Sequence, residues 1–146
     1  MNMLLIIISI SSYNINADTE SGETKEQQEI HRVLNQQVKD WNRGDLKSFM
    51  TGYWKSDKLT FFSGSDPKQG WQATMERYQK AYQSDGKEMG RLSFNKLEVE
   101  LLGPGHALVK GHWQLALKGK TKSGLFTLIF RKTAAGWRII HDHTSI

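Results

Sequence analysis

Residues 136–145 read GWRIIHDHTS, a turn glycine followed by a run in which side chains alternate in character. Successive side chains of a β-strand point to opposite faces of the sheet. The run therefore predicts a strand on which four side chains share one face: Trp137, Ile139, His141 and His143. An apolar patch that continues into two imidazoles indicates the inner wall of a pocket.

The segments before this strand keep the same period of two. Residues 92–102 predict a long strand with a bulge near Asn95, where the alternation slips. Residues 107–117 predict a second strand, and Phe126, Leu128 and Phe130 share one face of a third. Glycine-containing turns separate these strands.

Towards the amino terminus, the period becomes helical. From about Glu26, apolar residues recur at intervals of three and four, namely Ile30, Val33, Leu34, Val38 and Trp41. Gly44 is expected to end this helix and Asp45 to cap the next. A short strand is expected at 59–62, and a third helix after Gly70. Helices followed by antiparallel strands are typical of an α+β domain.

Composition excludes several classes of protein. The chain has no cysteine, so it carries neither a disulfide framework nor a thiolate nucleophile. The net charge of +5 comes from scattered basic residues, so no nucleic-acid partner is expected. About 130 residues suffice for one domain with its own core.

The first 17 residues carry no charged side chain and include a nearly continuous apolar run. This segment resembles a secretory signal peptide and is too short to span a bilayer. We therefore expect a signal peptide at 1–17, a flexible lead-in at 18–25 and one domain at 26–146. The mature protein would be secreted or periplasmic and free of the membrane; the alternative is the start of a cytosolic protein.

Two motifs carry a family resemblance. The Trp-Asn-Arg-Gly-Asp stretch at 41–45 joins two helices, and the chain closes on Gly-Trp-x-x-x-His-x-His-x-Ser. Together with the order of elements, they resemble the nuclear transport factor 2-like superfamily over about residues 26–146. The most similar branch holds SnoaL-like domains of unknown function and the calcium/calmodulin-dependent kinase association domain.

The resemblance implies a cystatin-like cone, in which a curved antiparallel sheet of about four to six strands wraps around three N-terminal helices. A pocket opens between helices and sheet, and members often pair through the outer face of the sheet. A homodimer is therefore implied. Related domains include ketosteroid isomerases, polyketide cyclases and dehydratases, while many members only bind or assemble.

Two departures from the resembling domains bear on function. The pocket arginines of the kinase association domain align near Trp113 and Leu128, so this chain has no cation at either place. An isomerase of this superfamily needs a carboxyl group in an apolar cavity. No Asp or Glu is expected on the inward faces of the later strands.

The two histidines leave three interpretations open. Each can simply donate a structural hydrogen bond, or act as a general acid–base or ligand-orienting group. They can also ligate a metal, but no third ligand is evident, because His112 lies on the opposite face from Trp113. We therefore predict no metal and no cofactor. Asp142 is expected to face away from both imidazoles, unless a bulge turns it inward to orient one of them.

Large aromatic side chains most often fill a core, but tyrosine and tryptophan also keep polar groups that suit a ligand site. Four are predicted to line the pocket: Tyr53, Trp71, Tyr78 and Trp113. The leading hypothesis is a secreted domain that binds a small, largely apolar molecule, with polar contacts from His141 and His143. One alternative is an isomerase, cyclase or dehydratase with His141 as general base, and another is an assembly module.

Overall fold

Thr24 caps the start of the first helix in the computed structural model, which describes residues 22–146. The Thr24 hydroxyl accepts from the Gln27 N–H, and the Gln27 side chain accepts from the Thr24 N–H. These two bonds satisfy N–H groups that a helix start otherwise leaves free. Ile30, Leu34 and Trp41 are buried, which confirms the predicted apolar stripe.

Three helices and a 3-10 turn accompany six strands. The helical segments are α1 (Lys25–Asn42), α2 (Leu46–Phe49), the 3-10 turn (Met50–Gly52) and α3 (Trp71–Tyr82). The strands are β1 (Thr60–Ser63), β2 (Asp66–Gln69), β3 (Arg91–Leu101), β4 (His106–Leu117), β5 (Lys120–Thr133) and β6 (Gly136–Thr144). None of the helices in the described part is long and apolar enough to cross a membrane.

The strands form one sheet in the order β2-β1-β6-β5-β4-β3. Every neighbouring pair is antiparallel except β1 and β6, which run parallel, so the curved, unclosed sheet is mixed. The α+β prediction is confirmed, with this one parallel pair as a difference. Strand β2 was not predicted, because Asp66–Gln69 lacks apolar alternation. Pro67 fits there since β2 is an edge strand.

The core lies between α1 and the inner face of the sheet. Phe126, Leu128 and Phe130 are 5%, 3% and 0% exposed, so the face predicted for β5 is confirmed. The bulge predicted near Asn95 is also present, as the pairing of β3 with β4 shifts between Asn95 and Glu98. The predicted cap at Asp45 is confirmed as well, because its carboxylate accepts from the Ser48 N–H at 2.9 Å.

Two predictions stand apart from this fold. The signal peptide at 1–17 and the first half of the lead-in at 18–25, residues 18–21, lie outside the described residues. The homodimer stays a prediction, which light scattering of the purified protein would check.

Candidate functional site

Strand β6 contains a bulge at Ile140. Across the ladder to β5, Ile139 pairs with Phe130 and His141 pairs with Ile129, so Ile140 has no partner. An extra residue of this kind shifts the alternation of the strand by one position. Side chains after the bulge therefore face the side opposite to the one that simple alternation predicts.

As a result, Asp142 faces the helices and the two imidazoles do not. Asp142 is 4% exposed, whereas His143 is exposed. The parallel pairing with β1 agrees, since Asp142 lies opposite the buried Phe61. The prediction that His141 and His143 point into the pocket is therefore wrong, and so is the prediction of no inward carboxyl group. The inserted residue is the physical reason for both errors.

The two imidazoles lie together on the outer face of the sheet. His141 Nδ1 is 2.6 Å from the Thr60 hydroxyl, and the ring of Phe62 lies 5.0 Å from the His141 ring and 6.0 Å from the His143 ring. Partial burial and the neighbouring His143 lower the pKa of His141. Residues 22–146 contain no group of three His, Cys, Asp or Glu side chains placed to hold a metal ion.

A cavity of about 130 Å³ lies between the helices and the inner face of the sheet. Its lining comes from the three helices, from Tyr53 after the 3-10 turn, from β1 and from the long strands. Aromatic side chains dominate the lining: Trp41, Phe49, Tyr53, Phe61, Tyr78, Tyr82, Phe94, Trp113 and Phe126. The polar groups are few, and Asp142 is the only carboxylic side chain among the lining residues that the structure describes.

Two hydroxyl groups hold the Asp142 carboxyl. The Tyr53 hydroxyl donates to Oδ2 at 2.7 Å, and the Thr144 hydroxyl donates to Oδ1 at 2.7 Å. A carboxylate oxygen has two lone pairs, so each oxygen keeps acceptor capacity for a further donor. The side chain is thus positioned by the protein and still able to bond to a molecule in the cavity.

Tyr78 extends this arrangement. Its hydroxyl lies 3.1 Å from that of Tyr53. Because Tyr53 uses its proton on Asp142, Tyr78 is the donor of that bond, and its own oxygen remains open to an acceptor role. Burial, followed by the nearby Asp142 charge, raises the pKa of Tyr53 and Tyr78 well above 10. Both phenols therefore stay neutral at physiological pH.

Burial also decides the acidity of Asp142. Removal from water raises its pKa from the ordinary value of 3.8 to about 6. The hydrogen bonds from Tyr53 and Thr144, and the field of His143, oppose this rise without cancelling it. A carboxyl group with a pKa near 6 exchanges protons readily around neutral pH, which is what general acid–base chemistry requires.

Three of the four aromatic residues predicted as lining lie in the cavity wall: Tyr53, Tyr78 and Trp113. Trp71 does not. Its indole N–H donates to the Met50 carbonyl at 2.9 Å, and the Lys55 ammonium lies 5.5 Å from its ring. That any of these residues binds a ligand stays a prediction.

Sequence reasoning did not name Thr144 or Arg77 as site residues, and it placed Asp142 inward only as the alternative for a bulged strand. A signal for the bulge was present in the adjacent apolar residues Ile139 and Ile140, because two apolar neighbours in a half-buried strand indicate a break in alternation. No comparable signal identified Arg77, since cations on a helix are ordinarily solvated.

Removing one of the two donors to Asp142 provides a test of this geometry. In Tyr53→Phe, the buried carboxylate keeps only Thr144 as a donor, and an unsatisfied buried group costs about 1–3 kcal/mol. We expect the pKa of Asp142 to rise further and the stability loss to be larger at pH 8 than at pH 4.5, where the carboxyl is neutral. Urea unfolding at both pH values and a carbon-13 NMR titration measure these effects.

Tyr82→Phe is the matched control, because Tyr82 also lines the cavity but makes no hydrogen bond to Asp142. The assignment fails if Tyr53→Phe loses equal stability at both pH values, or if the two variants behave alike.

Comparison with known proteins finds a matching family and similar solved structures. Residues 30–146 match the model of the SnoaL-like domain family. A nuclear transport factor 2-like protein of unknown function from Shewanella oneidensis is 36% identical, with a TM-score of 0.76, over 82% of this chain and 98% of that one. No curated protein matches the chain.

Two more distant solved structures share the fold. A domain of unknown function with a cystatin-like fold from Nostoc punctiforme has a TM-score of 0.68 at 20% identity, over 85% of this chain and 78% of that one. A ketosteroid isomerase-like protein from Erwinia carotovora has a TM-score of 0.64 at 18% identity, over 84% of this chain and 97% of that one. The match to the family model and the 36% identity to the Shewanella protein show that this chain belongs to the SnoaL-like domain family of the nuclear transport factor 2-like superfamily.

Proposed function

We propose that this protein binds a small, largely apolar molecule in the aromatic cavity, and that Asp142 accepts a hydrogen bond from it. The observation that carries the proposal is a buried carboxyl group with unused acceptor capacity at a cavity wall. Ligand sites commonly combine an apolar lining with a few placed polar groups in this way.

A purely structural role explains this arrangement poorly. Protein interiors are close-packed, and an empty cavity weakens the fold in proportion to its volume. Burying an ionisable carboxyl group adds a further cost. A cavity of roughly 150 Å³ holds one benzene molecule, so the volume of about 130 Å³ found here suits a molecule with about one six-membered ring.

The test compares two Leu→Trp variants. Leu92 is 8% exposed and lines the cavity, while Leu125 is 54% exposed and does not. We expect phenol, whose hydroxyl can donate to Asp142, to shift NMR signals of cavity residues in the native chain and in Leu125→Trp. Leu92→Trp fills the space and should abolish those shifts; Leu92→Phe serves if the larger side chain prevents folding.

Native mass spectrometry of protein purified from its own host gives an independent measurement, because it reports any retained small molecule. Binding in the cavity is refuted if no molecule is retained and phenol causes no shift at millimolar concentration.

A second candidate function is proton transfer, with Asp142 as the general base. It is favoured by the pKa of about 6 in an apolar cavity, and it assigns to Asp142 the role that the sequence suggested for His141. A positioned base contributes typically 10²- to 10⁴-fold to a rate. The likeness to the ketosteroid isomerase-like protein is one of fold, and supports the candidate only in that sense.

Solvent deuterium exchange at the carbon next to the carbonyl of cyclohexanone tests this candidate. We expect the protein to accelerate exchange, with a rate that rises through pH 6 as Asp142 ionises. Asp142→Asn should reduce the rate at least ~100-fold, while His141→Ala should leave it unchanged. Equal rates in the native chain and Asp142→Asn would exclude Asp142 as the base.

A further inference from the structure

Arg77 of α3 is an unpaired cation at the cavity. It is one of the lining residues, and its guanidinium carbon lies 5.5 Å from the centre of the Phe61 ring. Its Nε is buried and has no hydrogen-bond partner, the only such side-chain atom within residues 22–146. Arg77 also forms no ion pair with any residue of that range.

An unpartnered N–H in this position is physically unusual. Buried polar groups are almost always hydrogen-bonded, and leaving one without a partner costs about 1–3 kcal/mol. An acceptor supplied from outside the chain would recover that cost. The planar guanidinium fork matches a carboxylate especially well, because both oxygens can accept from it at once.

Two acidic side chains, Asp142 of the lining and Asp66, bond to groups other than Arg77. Asp142 accepts from Tyr53 and Thr144, and Asp66 pairs with Lys68 at 2.9 Å. The hydrogen bond from Lys68 is the main cause of the lowered pKa of Asp66; burial opposes it, and the charges of Lys68 and then of Arg77 add smaller effects. Arg77 and Asp66 do not form an ion pair.

Arg77 is therefore a cavity cation with unused donor groups. Lys122, a second basic side chain of the lining, is exposed to solvent, so Arg77 is the cation that the cavity presents to a ligand. An apolar cavity that holds a free bidentate cationic donor favours an anionic ligand over a neutral one.

We propose that the natural ligand is a small carboxylic acid of about one ring, whose carboxylate pairs with Arg77 while its ring lies among the aromatic side chains. The proposal rests on the proposed binding function and narrows it to a class of ligand. It differs from the arginine arrangement of the kinase association domain, because the cation comes from helix α3 and not from the positions of Trp113 or Leu128.

Benzoate and benzamide form a matched pair of probes, since they share shape and differ in charge. By NMR titration at pH 7.5, we expect the native chain to bind benzoate at least tenfold more tightly than benzamide. Arg77→Met should remove that preference, and Arg77→Lys should restore part of it. Arg131→Met is the control, because Arg131 stacks on Trp54 at 4.1 Å and does not line the cavity.

The outcomes separate the two proposals. If phenol binds but benzoate binds no better than benzamide, or if Arg77→Met keeps the native preference for benzoate, the anionic ligand is refuted and the binding function stands. If phenol, benzoate and benzamide all fail to bind, the binding function itself is refuted.

Discussion

Between pH 4 and pH 8, the difference in unfolding free energy between Asp142→Asn and the native chain is expected to shift by about 2–3 kcal/mol in favour of the variant. The folded pKa of Asp142, about 6, lies above its ordinary value of 3.8. The folded state therefore retains a proton that the unfolded chain releases. The contribution of Asp142 to stability is therefore highest at low pH, and this contribution is lost as the pH rises towards and through 6.

Asparagine has the same shape as aspartate and does not ionise, so it removes this pH dependence. Urea unfolding of both proteins at several pH values gives the difference directly, and the contributions of other ionisable groups cancel. A difference that stays constant from pH 4 to pH 8 would mean that Asp142 has an ordinary pKa in the folded protein.

Asp45→Asn provides a control of opposite sign. Hydrogen bonds from Ser48, first from its side chain and then from its backbone, lower the pKa of the Asp45 carboxyl to about 2. The stability that this ionised group contributes is present above pH 4 and is lost as the pH falls towards 2. Between pH 5 and pH 8, the difference in unfolding free energy between Asp45→Asn and the native chain should therefore stay constant, while that of Asp142→Asn changes with pH.

Trp41→Ala is expected to cost about 3–5 kcal/mol of stability. Trp41 is 3% exposed, and its ring meets those of Phe49, Tyr78 and Tyr82 edge-on at 4.9–5.9 Å. Its indole N–H also donates to the carbonyl groups just before β3, including that of Gly90 at 3.1 Å. The substitution thus removes packing between α1 and α3 together with a hydrogen bond to the sheet.

Trp54→Ala makes the same chemical change at a half-buried position, where Arg131 stacks on the ring. Urea denaturation of both variants should show a much smaller loss for Trp54→Ala. If the two losses are equal, Trp41 is not the packing centre that its contacts indicate.

Local patterns in the sequence were sufficient for most of the secondary structure. The stripe of α1, the cap at Asp45 and the bulge near Asn95 depend on side chains that are close in sequence. Such features can be predicted because helical and strand periods are properties of short segments. Strand β2 could not, since it pairs through its backbone and has no apolar pattern of its own.

The candidate site depended on how strand β6 pairs with its neighbours, which the local sequence does not specify. The sequence predicted correctly that Trp137 and Ile139 face the interior, since both are buried. It left open which side chains follow them, because a strand with a bulge and one without are both compatible with residues 136–145. The ladders to β5 and β1 selected the bulge at Ile140.

The chain by itself therefore determined the order of the helices and of every strand except β2, because these follow from short-range periodicity and turn chemistry. Its motifs also carried the resemblance to the family. Only the tertiary structure decided that Asp142, and not His141 or His143, enters the cavity and that Arg77 meets it without a partner. The physical reason is that strand register and burial are set by pairing between segments far apart in sequence. A shift of one residue exchanges the two faces of a strand.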